Sequence, residues 1–347
     1  MERLPEIAYE IIKEYEKGSL PNAILFWGDR FSSKKTTAIA LAKKILNTKT
    51  LTNPNLIIFS SLNIIEAKAY LNANSNEVIN KYLEYVKNIM FTKYNFSSDK
   101  NLKKVEININ FINDVYYKNK YNETLIKELI KRIEEIIKEI KFNITINDIR
   151  NIKSWALSEK HKMKVIYINE IENLNFNVYN ALLKMLEEPP LNIHFILATR
   201  NKNKIPKTIL SRLRVYRFRQ ENRNLEITKF KAIFNTNEEL TTEEYFNSFY
   251  SEEYTKLKEE IKKILNIIKE KQGIFNLDTF NFLKDDNIFK LFLQELISQL
   301  RDEFLSKNLD TNTYMKRLEH IKHILKYSSY NQNRKLIIEN LMLNYED

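Results

Sequence analysis

Five short, almost uninterrupted apolar runs limit what this chain can fold into. They are Ala23–Trp27 (AILFW), Leu56–Phe59 (LIIF), Lys164–Ile168 (KVIYI), Ile193–Ala198 (IHFILA) and Val215–Phe218 (VYRF). Such runs are shorter than a buried helix and lack the in–out alternation of a half-exposed strand. Each therefore predicts a strand covered on both faces. Helical text lies between them: Lys34–Leu46, Ile149–Ser158 with Asn147 or Asp148 as N-cap, Asn177–Glu188 before Pro189-Pro190, and the short Pro206–Arg212. Strands alternating with helices predict a parallel sheet with helices on both faces, an α/β core over residues 1–220.

Two stretches fall outside that rhythm. Residues 60–142 contain helical text (Ile64–Leu71, Glu77–Met90, Glu123–Ile140) and an alternating run, Val105–Phe111. They carry no site chemistry and read as an insertion into the core. Beyond residue 220 the strand runs stop. Predicted helices follow at Glu252–Lys271, Ile288–Leu305, Thr313–Tyr327 and Arg334–Tyr345. A 347-residue chain is long enough for such additional parts.

Several function classes are excluded by what is missing. There is no cysteine, which removes disulfides, thiol nucleophiles, iron–sulfur clusters and Cys-type zinc sites. The four histidines have no zinc-hydrolase spacing, so no metal site is expected. The N-terminal text is charged and amphipathic, unlike a signal peptide, and no stretch is apolar enough to span a membrane. A cytoplasmic protein is expected. The net charge of +11 is uneven: residues 1–220 hold 37 basic and 23 acidic side chains, and residues 221–347 hold 19 and 22. A basic half fits an electrostatic footprint for nucleic acid. It also fits simple lysine enrichment, since Lys, Ile and Asn are abundant throughout.

The run into Lys34–Leu46 has the strand–turn–helix context of a phosphate-binding loop. Such a loop reads G-x-x-x-x-G-K-[ST], with glycines for close backbone approach, lysine for the terminal phosphates and a hydroxyl for magnesium. Here the text is Gly28-Asp-Arg-Phe-Ser-Ser33-Lys34-Lys35-Thr36. The first glycine and the lysine are kept, the second glycine is Ser33, and Lys35 stands where the metal ligand belongs. A register shifted to Lys35-Thr36 is the one rescue. The strand KVIYI should close on a metal-organising aspartate followed by a catalytic glutamate. It closes on Asn169-Glu170. Two losses at the two metal-contacting positions predict a vestigial nucleotide site formed by Gly28, Lys34, Lys35, Thr36, Asn169 and Glu170. No bound cofactor, neither ATP nor zinc, is expected.

The block Asn180–Pro190 (NALLKMLEEPP), then His194–Thr199 and Ile205-Pro206 through Ser211-Arg212, resembles the bacterial clamp-loader AAA+ subunits, the gamma/tau and delta-prime subunits of DNA polymerase III. Gly18–Gly28, Ile144–Arg150 and the ending Asn331–Tyr345 are similar to the same family. The resemblance covers roughly residues 1–59, 143–220 and the C-terminal helices. It implies a P-loop NTPase fold of the AAA+ type with a degenerate site, a helical lid over 221–258 and an all-α collar over 259–347 that oligomerises. Motor subunits of the gamma/tau type keep the glycines, the Lys-Thr and the Asp-Glu pair, so the pattern here is similar to the delta-prime type. That implies a non-hydrolysing stator with gamma/tau and delta subunits as partners, reaching the sliding clamp and primer-template DNA through the complex. It also implies that Arg212, in Ser211-Arg212-Leu213, is an arginine finger donated in trans, with Leu213 replacing the family's cysteine. Thr199 stands at the first sensor position.

Other readings remain open at this level. Arg212 also suits a helix-end arginine paired with a nearby carboxylate. The chain also suits an active gamma/tau-type ATPase or a stand-alone DNA-binding protein, with Lys202, Lys204 and Lys207 as a basic cluster.

Overall fold

The structure, a computed structural model, describes residues 4–249 apart from 98, 159–161, 190–191 and 220, together with parts of 293–327. The chain divides into two compact units, Met1–Phe249 and Tyr250–Asp347.

All five predicted runs are strands: β1 (Ala23–Gly28), β2 (Leu56–Phe59), β3 (Lys164–Ile168), β4 (Ile193–Thr199) and β5 (Arg214–Phe218). They form one sheet in the order β2-β3-β4-β1-β5, and every neighbouring pair is parallel. Helices α1 (Glu6–Glu16), α2 (Lys34–Ile45), α7 (Ile146–Leu157), α8 (Phe176–Glu187) and α9 (Lys207–Leu210) surround it. This is the expected α/β AAA+-like core. Alternate strand residues face two cores: Ile24, Phe26, Ile58, Tyr167 and Ile196 share one with α1 and α2. Leu25, Ile57, Ile166 and Leu197 face the other, with α7 and α8.

Local chemistry sets the helix ends. Gly18 closes α1 at φ +68°, and the backbone N–H groups of Lys17, Gly18 and Ser19 return to carbonyls in the last turn of the helix. The start of α7 differs from expectation. Its cap is Thr145, whose hydroxyl accepts from Asp148 N (3.2 Å) while the Asp148 carboxylate accepts from Thr145 N (2.8 Å). The two residues satisfy each other's orphan donors, so the helix begins three residues earlier than a cap at Asp148 would allow.

The insertion is helical throughout: α3 (Ile64–Leu71), α4 (Asn76–Phe96), a 3-10 turn, α5 (Glu106–Lys118) and α6 (Glu123–Glu139). The alternating run Val105–Phe111 lies in this helical text. Val105, Ile112 and Val115 are buried at helical spacing in the α1–α2 core, where packing overrides a short alternating pattern. The insertion also covers the sheet's β2 edge. Ile58 N donates to Thr92 Oγ1 (3.1 Å), and Asn88 Nδ2 donates to the carbonyls of Leu51 (2.6 Å) and Leu56 (3.1 Å). Both α4 side chains are buried, so these edge groups are paired inside the molecule.

Two further helices complete the first unit, α10 (Arg223–Phe234) and α11 (Thr242–Ser248). In the second unit α12 spans Thr311–Tyr327, with Leu318, Ile321 and Ile324 buried and Tyr314 stacked on Phe304. The expected helices at 252–271 and 334–345 lie outside the described residues.

Candidate functional site

In a parallel sheet the strands' C-terminal ends lie together, and the loops that follow them form a crevice. Gly28, Asn169 and Thr199 occupy or follow those ends on β1, β3 and β4, so the predicted nucleotide-site residues do converge.

The loop after β1 keeps the backbone of a phosphate cradle. Ser33 takes φ 62°, ψ 17°, the left-handed conformation that suits the glycine it replaces. Gly28 is required for a different reason. A Cβ there would overlap the backbone carbonyl oxygen of Phe218 on β5.

The side chains of this loop are turned on one another. Lys34 Nζ donates to Gly28 O (2.7 Å), to Asp29 O and to Ser32 Oγ (3.1 Å). An ammonium has three N–H donors, and each has an acceptor inside the loop. Burial, then the nearby Arg200 cation, pulls the Lys34 pKa down to about 8. Lys35 pairs with Glu66 of α3 and lies over the rings of Tyr85 (4.7 Å) and Tyr70 (5.3 Å).

The second nucleotide element is similarly engaged. Asn169 Nδ2 donates to Ser60 Oγ (3.3 Å), and Tyr167 OH donates to Asn169 Oδ1 (3.3 Å). Glu170, at φ 53°, is paired with the Arg200 guanidinium, and Arg200 N donates to Glu172 Oε1 (2.9 Å). The sequence reading passed over Arg200. Its signal was its position, directly after Thr199 where β4 enters the crevice. Thr199 is buried, and its hydroxyl accepts from Asn201 N (3.1 Å).

A cavity of about 50 Å³ separates the loop from α10. Ser32, Ser33 and Thr36 line one side; Glu221, Glu226 and Lys229 line the other, with Lys229 on Glu221 at 2.5 Å. Its two carboxylates, Glu221 and Glu226, oppose phosphate. The residues present do not fit magnesium–ATP. An ammonium cannot ligate a metal ion, and Asn169 brings no charge. Among the described residues no group of three or more acidic or histidine side chains is arranged to hold a metal ion.

Arg212 lies at the other end of the sheet. It precedes β5, whose Arg214 sits beside Ile24 of β1, and Ile24 is about 13 Å of strand from Gly28. Its guanidinium donates to Glu187 Oε1 of α8 (2.8 Å), Thr208 O (2.8 Å) and Ser211 Oγ (3.2 Å). It is about one-third exposed, at 35 %, beside an open hollow of about 450 Å³ edged by Pro21, Asn22, Leu186 and Pro189. The carboxylate pairing considered from sequence is therefore present, on a side chain that solvent still reaches. Lys202 and Lys204 lie in a 3-10 turn and Lys207 opens α9. Lys202 (5.6 Å) and Arg217 (5.0 Å) lie over the Trp27 ring at the crevice end.

Sheet order, strand–loop–helix opening and crevice place the chain in the P-loop, AAA+-like class of α/β proteins. Residues 4–222, well over half of the chain, match the family described as DNA polymerase III, delta subunit, and the chain belongs to that family. Its relatives include DNA polymerase III gamma subunits of Buchnera aphidicola. One, from the Baizongia pistaciae symbiont, is 29% identical over 215 residues, covering 50% of this chain and 58% of the relative. Another, from the Acyrthosiphon pisum symbiont, is 40% identical over 86 residues, covering 25% and 24%. The tau subunit of Bacillus subtilis is 39% identical over 99 residues, covering 28% of this chain and 17% of the relative. The chain thus spans from about a sixth to under three-fifths of the length of these relatives. A solved gamma-subunit-related protein of Thermotoga maritima covers 98% of both chains at a TM-score of 0.41 and 16% identity. Among the described residues no helix is long and apolar enough to cross a membrane.

Proposed function

We propose that this chain is a delta-prime-type stator of a DNA polymerase III clamp loader. It binds no nucleotide itself and presents Arg212 to ATP held by a neighbouring gamma/tau-type subunit. With a delta-type subunit these proteins would load a sliding clamp onto primer-template DNA in the cytoplasm. The observation that carries the reading is the contrast within one sheet. Every N–H of Lys34 is engaged inside its own loop, while Arg212 stands at the far end beside an open hollow. An arginine so placed cannot serve the chain's own crevice. It can serve a site brought against it.

The chemistry is charge stabilisation. As the terminal phosphoryl group leaves ATP, negative charge develops on its oxygens, and a guanidinium supplied by the adjacent subunit offsets it. In the free chain Glu187 and Thr208 hold the Arg212 guanidinium. Docking would exchange this exposed ion pair, worth under about 1 kcal/mol, for contact with phosphate.

The relatives support a second reading, a gamma/tau-type motor, because those described above are gamma and tau subunits. Titration of the full chain with a fluorescent ATP analogue and magnesium separates the two. The stator reading expects no saturable binding up to near-millimolar nucleotide. Micromolar binding with turnover would replace it by the motor reading.

A further inference from the structure

Insertion 60–142 has no counterpart in the reading above, yet its first helix touches both sides of the crevice. Glu66, Ala69 and Tyr70 of α3 are spaced i, i+3, i+4 and share one helix face. From that face Glu66 pairs with Lys35, in the first turn of α2. The Tyr70 ring, four residues on, is stacked on Phe234 of α10 (5.6 Å, 25°) and on Tyr82 of α4 (5.1 Å, 13°), with the edge contact of Phe246 of α11 at 5.4 Å. Tyr245 of α11 donates its hydroxyl to Ala69 O (3.1 Å). Ala69, Phe230, Phe234 and Phe246 are buried together, and the loop's own Phe31 joins Phe246 edge-on at 5.5 Å.

A nucleotide on a phosphate loop at this position would bridge the same two parts, because loop and α10 face each other across the small cavity. We infer that the insertion is an internal brace that does the structural work of a bound nucleotide, fastening α10 and α11 to the phosphate loop through Lys35–Glu66 and the Tyr70 ring. Lys35, which cannot hold magnesium, gains a role as an anchor. The aromatic cluster gives the brace its strength, since each such ring pair adds to the area it buries. The ion pair fixes where the helix sits. That the brace stands in for a nucleotide rests on the reading that the loop carries none; the fastening itself does not.

The cysteine-free chain allows a direct test. Spin labels are placed on the exposed positions Lys44 (α2) and Asn224 (α10) through Lys44→Cys and Asn224→Cys, and their separation is measured in the full chain with and without magnesium–ATP. The expected result is one narrow distance that nucleotide does not change. It should broaden in Tyr70→Ala, with backbone amides of 223–248 exchanging at least about tenfold faster while those of β1 and β4 stay protected. Glu66→Gln, which keeps the helix and its volume, should show the same change more weakly and guards against a Tyr70→Ala chain that fails to fold. Unchanged distance and exchange in a folded Tyr70→Ala or in Glu66→Gln would overturn the brace. A wild-type distance that is broad until nucleotide narrows it would overturn brace and empty loop together. If wild type is narrow throughout and nucleotide narrows only the broadened variants, the loop binds nucleotide but the brace stands.

Discussion

The two ends of the sheet treat their cations in opposite ways. At the C-terminal end the buried Lys34 and the half-buried Lys35 are tied to groups of the same chain, loop carbonyls and Glu66. At the N-terminal end Arg212 is tied as well, but by exposed partners beside an open hollow. Lys34 and Arg212 each have three partners, so what separates them is burial and not the number of bonds. Removing three hydrogen bonds from a buried ammonium is costly, whereas an exposed arginine–carboxylate pair exchanges readily.

Four measurements break or sharpen that contrast. The largest effect is expected for Arg212→Ala in a reconstituted complex. Hydrolysis at the adjoining site should fall about a thousandfold or more, while assembly and the fold of the chain remain. Wild-type turnover in that complex would remove the arginine from the reaction.

Next is Gly28→Ala. The added methyl meets backbone rather than a movable side chain, so β5 must shift, at a cost of about 1–3 kcal/mol read from a urea melt. An unchanged midpoint would show that the strand end yields more than the structure implies. Smaller again is Ser33→Gly, which should stabilise the chain by about 1 kcal/mol by relieving the left-handed conformation. It should not create nucleotide binding, because Lys34 remains engaged. If binding appears, the crevice is shut by one residue rather than by the network.

The smallest effect is a pH dependence. The Lys34 pKa is about 8 in the folded chain against 10.5 for a free lysine. Between those values the unfolded state binds more protons, so stability rises with pH from about 8 to 10.5 and the contribution levels off below 8. From pH 7.5 to 8.5 the Lys34 share of the gain should stay below about 1 kcal/mol and should be lost in Lys34→Met, leaving the rise owed to Lys35, which burial, then the Arg30 cation, pulls down to about 7. An identical slope in that variant would place the titration elsewhere.

The strands were legible because a buried parallel strand is written in consecutive residues, as in KVIYI and IHFILA. The start of α7 was written too, as Thr145 with an acidic residue three places on, but Asn147 and Asp148 are also cap residues and drew the boundary inward. The conformation of Val105–Phe111 was not legible, because a few residues of alternation suit two conformations, and only the neighbours α4 and α6 choose between them. That Lys35 and Asn169 bring no metal-binding carboxylate or hydroxyl was readable, since it turns on the type of residue. How Lys34 is engaged was not, because its partners include backbone carbonyls, which no residue name discloses. Nor was the Arg200–Glu170 pair, whose members stand 30 positions apart and meet only through strand order.

The hydrogen bonds from α4 to the β2 edge bear on how such a chain can change over generations. A segment inserted between β2 and α7 begins as an addition that its host can do without. Once Thr92 accepts from Ile58 N and Asn88 holds the carbonyls of Leu51 and Leu56, its removal leaves buried-type backbone groups unpaired and an apolar sheet face open to water. Removing the segment would therefore require several simultaneous repairs, a demand set by the geometry of the strand it covers whether or not any partner uses it.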